Sequence, residues 1–137
     1  MARRKYNRAI VDGSNVAHSG EGDVGQLRDI VAVREKLAAE GYEPIVIVDA
    51  ALRHRIDDPA GYERMVNDGE LRQAPAGTDA DYFILSFARD MDGVVVSNDR
   101  FKDRLKSFPE LRRRIVRYMV VDGDVVLERR TRTRTRA

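Results

Sequence analysis

The chain has 137 residues, 42% hydrophobic, a net charge of +2 and no cysteine. One domain with a sizeable core fits that size, the hydrophobic content excludes a disordered chain, and the missing cysteines exclude a disulfide framework or a thiolate metal site. No apolar run approaches the ~20 residues that span a bilayer, and Met1-Ala2-Arg3-Arg4-Lys5 leads into a strand rather than a signal-peptide core, so a cytoplasmic protein without a membrane partner is expected.

In chain order, Ala9-Ile10-Val11 reads as a short buried strand, followed by a turn at Gly13-Ser14. Asp23-Val24-Gly25-Gln26 has the pattern of a capping box, opening a helix whose Leu27, Ile30, Val31, Arg34, Leu37 and Ala38 repeat at helical spacing, with Gly41 as its stop. Residues 45–48 form a second strand with Asp49 at its end. Asp58-Pro59 is an N-cap and first-turn proline for a helix through Tyr62, Met65 and Val66. A short third strand covers residues 71–74, broken by Pro75-Ala76-Gly77.

Thr78 opens the next helix, which buries Ile84, Leu85, Phe87, Ala88 and Met91 and ends at Asp92-Gly93. Residues 94–97 give a fourth strand, Asn98 starts another helix interrupted at Phe108-Pro109, and residues 115–121 form a fifth strand. Asp122-Gly123 is a hairpin signal that folds residues 125–128 back antiparallel. Strands separated by helices predict an α/β fold with a mostly parallel sheet covered on both faces.

The acids stand out against this frame. Asp12, Asp79, Asp81, Asp99 and Asp103, with Asn15, lie in three separate segments, two of them directly after the apolar runs Ala9-Ile10-Val11 and Val94-Val95-Val96. That position is the carboxyl edge of a parallel sheet, where open α/β folds bind ligands. Carboxylates gathered there repel one another unless a cation intervenes, and an all-oxygen set suits Mg²⁺ or Mn²⁺. Each acid also has a purely structural alternative. Asp12 fits an Asx-turn or cap, Asp79 and Asp81 a capping pattern after Thr78, and Asp99 a helix N-terminus with Asp103 paired to a nearby base. Asp99 and Asp103, four apart on the predicted helix, would share a face.

Three stretches together resemble the PIN-like NYN domain, in the regnase-type (MCPIP, zinc-finger CCCH-type 12-like) branch of ribonucleases. They are Ile10-Val11-Asp12-Gly13-Ser14-Asn15-Val16-Ala17, Asp81-Tyr82-Phe83-Ile84, and the run from Val94 to Asp103 that contains Ser97-Asn98-Asp99-Arg100-Phe101-Lys102. The order is preserved over nearly the whole chain, with the domain expected over residues 1–128. The resemblance implies a PIN-like three-layer α/β/α fold with a C-terminal β-hairpin, and a Mg²⁺-dependent endoribonuclease acting on single-stranded RNA or stem-loops. By it, Asp12, Asp81 and Asp99 are metal ligands, and Asn15 and Asp103 complete the catalytic group. Ser14, Asp79 and Asn98 act through water or through another ligand. The chemistry expected is phosphodiester hydrolysis by metal-activated water, with one ion or two.

Two departures matter. The family has adjacent acids where this chain reads Asp79-Ala80-Asp81, which supports the alternative of a non-catalytic RNA-binding domain. The basic loop that related eukaryotic domains carry is replaced by Ala74-Pro75-Ala76-Gly77, and no zinc finger can accompany a chain without cysteine. Arg53, Arg55, Arg100 and Lys102 are candidate RNA contacts, with plain solvated surface as their alternative. Residues 112–137 hold nine arginines against three acids, a net +6 that leaves −4 on residues 1–111. An acidic body with a basic end suits a metal site beside a polyanion surface. The Arg/Thr-rich residues 129–137 are expected to be a disordered tail, and a homodimer is compatible with the fold.

Overall fold

Ala9, Ile10 and Val11 are completely buried, as a strand covered on both faces requires, and they form the middle of strand β1 (Arg8–Asp12). The computed structural model describes residues 7–128. In it β1 pairs in parallel with β2 (Glu43–Val48) on one side and β4 (Val94–Val96) on the other. β3 (Leu71–Gln73) and β5 (Ile115–Val116) complete a five-stranded parallel sheet of order β3-β2-β1-β4-β5. The chain reverses direction across the sheet between β1 and β4, the switch point at which such folds open a crevice.

The sheet divides two cores by strand periodicity. Ala9, Val11, Val94 and Val96 face one side, with α1 (Gly13–Ala17), α2 (Leu27–Ala39) and α3 (Pro59–Asn67). Ile10, Ile47 and Val95 face the other, with Ile84, Leu85 and Ala88 of α4 (Ala80–Asp90) and with Phe101, Phe108 and Leu111. The architecture is the expected three-layer α/β/α arrangement. β6 (Tyr118–Val121) and β7 (Asp124–Leu127) form the C-terminal antiparallel hairpin. Its turn has φ of 48° at Asp122 and 85° at Gly123, the two positive values that a type I′ turn requires.

Several local expectations are corrected. No turn follows β1: Asp12 caps α1 directly. Gly13 is needed there for close packing, since a Cβ would lie 2.6 Å from Val48 Cγ1 and 2.9 Å from the Ile47 carbonyl. The capping box at residues 23–26 does not form; the α2 amide of Leu27 is capped by Asp57 Oδ1 at 3.0 Å, from thirty residues away. α4 begins after Asp79, not Thr78. The predicted fifth strand is two, because the chain leaves the sheet at Arg117 and turns into the hairpin.

The helix predicted from Asn98 is also absent. Asp99 Oδ1 accepts the Phe101 amide at 2.7 Å, a local bond that competes with helix formation, and Phe101 adopts φ of 51° while its ring fills the core beneath α4. Only short 3₁₀ turns follow, at Asp103–Ser107 and Pro109–Leu111. Among the described residues no helix is long and apolar enough to cross a membrane. The predicted tail, residues 129–137, lies outside the described residues.

Candidate active site

Asp12 ends β1 on the same side as Ile10, and Ser97 follows β4 on the same side as Val95. The side-by-side strands therefore bring both to one point, although 85 residues separate them. The Ser97 hydroxyl, completely buried, donates to Asp12 Oδ2 at 2.8 Å and accepts the Asp99 amide at 3.0 Å. One small side chain thus sets the distance between two acids. Asp12 Oδ1 accepts the Asn15 amide at 3.4 Å. Each carboxylate oxygen retains further acceptor capacity.

Asp12 is only 6% exposed. Burial, partly offset by the bonds from Ser97 and Asn15, pushes its pKa up to about 6, and the charges of Asp81 and Asp99 add to the rise. Asp81, in the first turn of α4, is likewise raised, by burial first and then by Asp99 and Asp79, with Arg104 opposing. These couplings identify Asp12, Asp81 and Asp99 as one electrostatic cluster drawn from three elements. Desolvation and like charge both disfavour leaving such a set ionised alone.

The cluster opens into a cleft of about 420 Å³ lined by Asp81, Asp99, Arg100, Phe101, Lys102, Asp103 and Arg104. Three carboxylates and three cations therefore line it together. Asp103 belongs to its outer lip, with 86% of its side chain exposed and a 3.4 Å pairing to Lys106; it does not share a helical face with Asp99. Asp79 is the α4 N-cap, accepting the amides of Asp81 at 3.1 Å and Tyr82 at 3.4 Å, and it is ion-paired to Arg104. Arg53 pairs with Glu63 at 2.9 Å, and neither Arg53 nor Arg55 lines the cleft.

Asn15 is fixed from two directions. Its Oδ1 accepts the Asn98 backbone amide at 3.0 Å and the Tyr118 hydroxyl at 2.7 Å. A backbone N–H can only donate, so the oxygen must face it and the Asn15 NH₂ must point elsewhere. Burial, and then the charge of Asp12, hold the Tyr118 phenol above its ordinary pKa, which keeps it a protonated donor. Asn98 itself braces the hairpin: its side-chain amide donates to the Tyr118 carbonyl at 3.0 Å and its Oδ1 accepts the Tyr118 amide at 3.1 Å. Ser14, in α1, turns to the neighbouring strand end, donating to Asp49 Oδ2 after β2 at 3.0 Å.

Four of these residues escaped the sequence reading. Ser97, Arg104, Arg117 and Tyr118 sit in or after segments whose partners are remote. Arg117 donates to the carbonyls of Ser97 at 3.2 Å and Asp99 at 2.6 Å, holding the loop that carries Asp99. The one available signal was Ser97, a polar residue closing an all-valine strand.

The donor set fits a hard divalent cation: all the acids are oxygen ligands and the cluster lacks a compensating charge at its centre. Among the described residues, no three His, Asp or Glu side chains gather closely enough to enclose an ion by themselves. A hydrated divalent cation that takes one or two carboxylates directly and the rest through its waters does not need three to enclose it.

The sequence profile described as Zc3h12a-like Ribonuclease NYN domain matches residues 5–134. The chain belongs to this family. The NYN domain also resembles two solved structures of nuclear protein-only RNase P 2 (PRORP2) from Arabidopsis thaliana. One has a TM-score of 0.74 at 23% identity over 92% of this chain, the other 0.71 at 24% over 93%. At that identity the likeness establishes the fold, and this NYN domain corresponds to 30% of the length of either PRORP2 chain. No curated protein matches.

Proposed function

We propose that this NYN domain is a metal-dependent endoribonuclease that hydrolyses RNA phosphodiester bonds. The observation that carries the reading is the buried Ser97 hydroxyl that ties the Asp12 carboxylate to the Asp99 backbone at the switch point of the sheet, where burial first and neighbouring acids second raise both Asp12 and Asp81. Asp12, Asp81 and Asp99 would hold Mg²⁺ or Mn²⁺, directly or through its waters. When bound, the ion supplies a water of lowered pKa and neutralises charge on the phosphoryl oxygens.

The rest falls to the protein. Ser97 holds the Asp12 carboxylate and the Asp99 backbone together, and Arg117 anchors the Asp99 loop. The Asn15 NH₂, locked by Tyr118 and Asn98, donates to a phosphate oxygen or an attacking water. Arg100, Lys102 and Arg104 draw the polyanion to an acidic site that would otherwise repel it.

The alternative, a non-catalytic RNA-binding domain, draws support from Ala80, where the family has an acid. The test is cleavage of labelled RNA by purified protein with Mg²⁺, Mn²⁺ or EDTA, compared with Asp12→Asn and Asp99→Asn. Metal-dependent cleavage lost in both variants is expected. Salt-sensitive RNA binding without cleavage above the variants would leave the binding-only reading standing.

A further inference from the structure

Among the described Phe and Tyr residues, Tyr82 has the one exposed ring, with 49% of its surface open. The other rings are buried or half-buried. It immediately follows Asp81, which lines the cleft. Its ring is braced, tilted at 59° against Phe108 with 5.3 Å between centroids, and Phe108 is completely buried. Across the same Phe108 ring, the Arg89 guanidinium lies 5.1 Å from the centroid.

The segment leading from the cleft to Phe108 is fastened to α4 twice, by Arg104 on Asp79 and by Phe108 on Tyr82. Along this seam a cationic lip of Arg100, Lys102 and Arg104 gives way to an open, rigidly supported ring. Folding does not require that exposure, since Phe108 already supplies the buried contact. Cations that track phosphates, next to an aromatic face, are what unpaired nucleotides recognise. A base inside a duplex has both faces occupied by its neighbours and cannot use the ring.

We propose that Tyr82 is a stacking platform for an unpaired base of RNA entering beside the acidic cleft; this rests on the ribonuclease reading above. The chain has no tryptophan, so Tyr82→Trp in an Asp12→Asn background creates a single tryptophan, excited selectively over the remaining tyrosines, in a protein that does not consume its ligand. Emission should be quenched as single-stranded oligouridylate binds, and not by a blunt RNA duplex. Tyr82→Leu keeps an apolar contact on Phe108; if it unfolds at the wild-type temperature, it should bind the oligonucleotide roughly 5- to 100-fold more weakly with an unchanged salt slope, because no phosphate contact is lost.

Binding reported by the anisotropy of a labelled oligonucleotide without tryptophan quenching, or equal quenching by the duplex, overturns the proposal and leaves the ribonuclease reading intact. Quenching without metal-dependent cleavage by the wild type supports the platform and removes the catalytic reading. No RNA binding by the wild type at low salt overturns both.

Discussion

The hydroxyl of Tyr118 donates to Oδ1 of Asn15 at 2.7 Å across 103 residues of sequence. That bond joins the first residue of the C-terminal hairpin to α1, the helix directly after the first strand. The Asn98 backbone amide decides which end of the Asn15 amide faces it, and the Tyr118 hydroxyl adds a second hold on the same oxygen from the hairpin.

Tyr118→Phe keeps the ring and removes the bond. A buried hydrogen bond of this kind contributes about 1 kcal/mol, so the melting temperature should fall by only a few degrees. The larger effect is expected in kcat, roughly 10-fold lower with KM nearly unchanged, as Asn15 loses its fixed orientation. Steady-state kinetics with a fluorogenic RNA check it; a rise in KM at constant kcat would place Tyr118 in substrate binding instead.

Asp12 should give stability a pH dependence of definite sign. Its folded pKa, about 6, lies above the ordinary carboxyl value of 3.8. Its stabilising contribution is therefore complete below pH 3.8 and lost as pH rises to about 6. Without metal, the stability of Asp12→Asn relative to wild type should improve between pH 4 and pH 7 by up to roughly 3 kcal/mol. Denaturant titrations in EDTA at the two pH values measure the change. Added Mg²⁺ should reverse it by favouring the ionised carboxylate, raising the wild-type melting temperature and leaving Asp12→Asn unmoved.

Arg117 binds two carbonyls through one guanidinium nitrogen, Nη1, which stands one bond farther from the backbone than the ammonium of lysine. Both Arg117→Ala and Arg117→Lys should free the Asp99 loop and weaken Mg²⁺ activation of cleavage about 10-fold, the usual scale for groups that orient ligands. A metal titration of activity tests this. Full function of Arg117→Lys would show that charge alone suffices.

The N-terminus of α2 separates local pattern from tertiary fact. Asp57→Ala removes the cap on Leu27 and should cost about 1 kcal/mol, whereas Asp23→Ala should be nearly neutral. Thermal unfolding of the two variants gives the comparison, and the reverse order would restore the capping box.

What the sequence determined by itself is what short-range chemistry encodes. The valine and isoleucine runs, the Asp58-Pro59 cap, the Asp122-Gly123 turn and the Asp12-to-Asn15 motif carry their meaning within a few residues. From these the α/β class, the family and the positions of Asp12, Asp81 and Asp99 at element ends were legible. Two kinds of fact were decided only by tertiary structure. Which groups satisfy which polar atoms depends on strand order, so Ser97 on Asp12, Tyr118 on Asn15 and Asp57 on Leu27 had no sequence-local signal. The conformation of residues 98–102 depends on competition: helical periodicity there loses to the Asp99 Asx bond, the buried Phe101 ring and the Arg117 guanidinium. Each long-range partner outweighs a weak local propensity because it satisfies a polar group, or buries an apolar one, that water would otherwise claim.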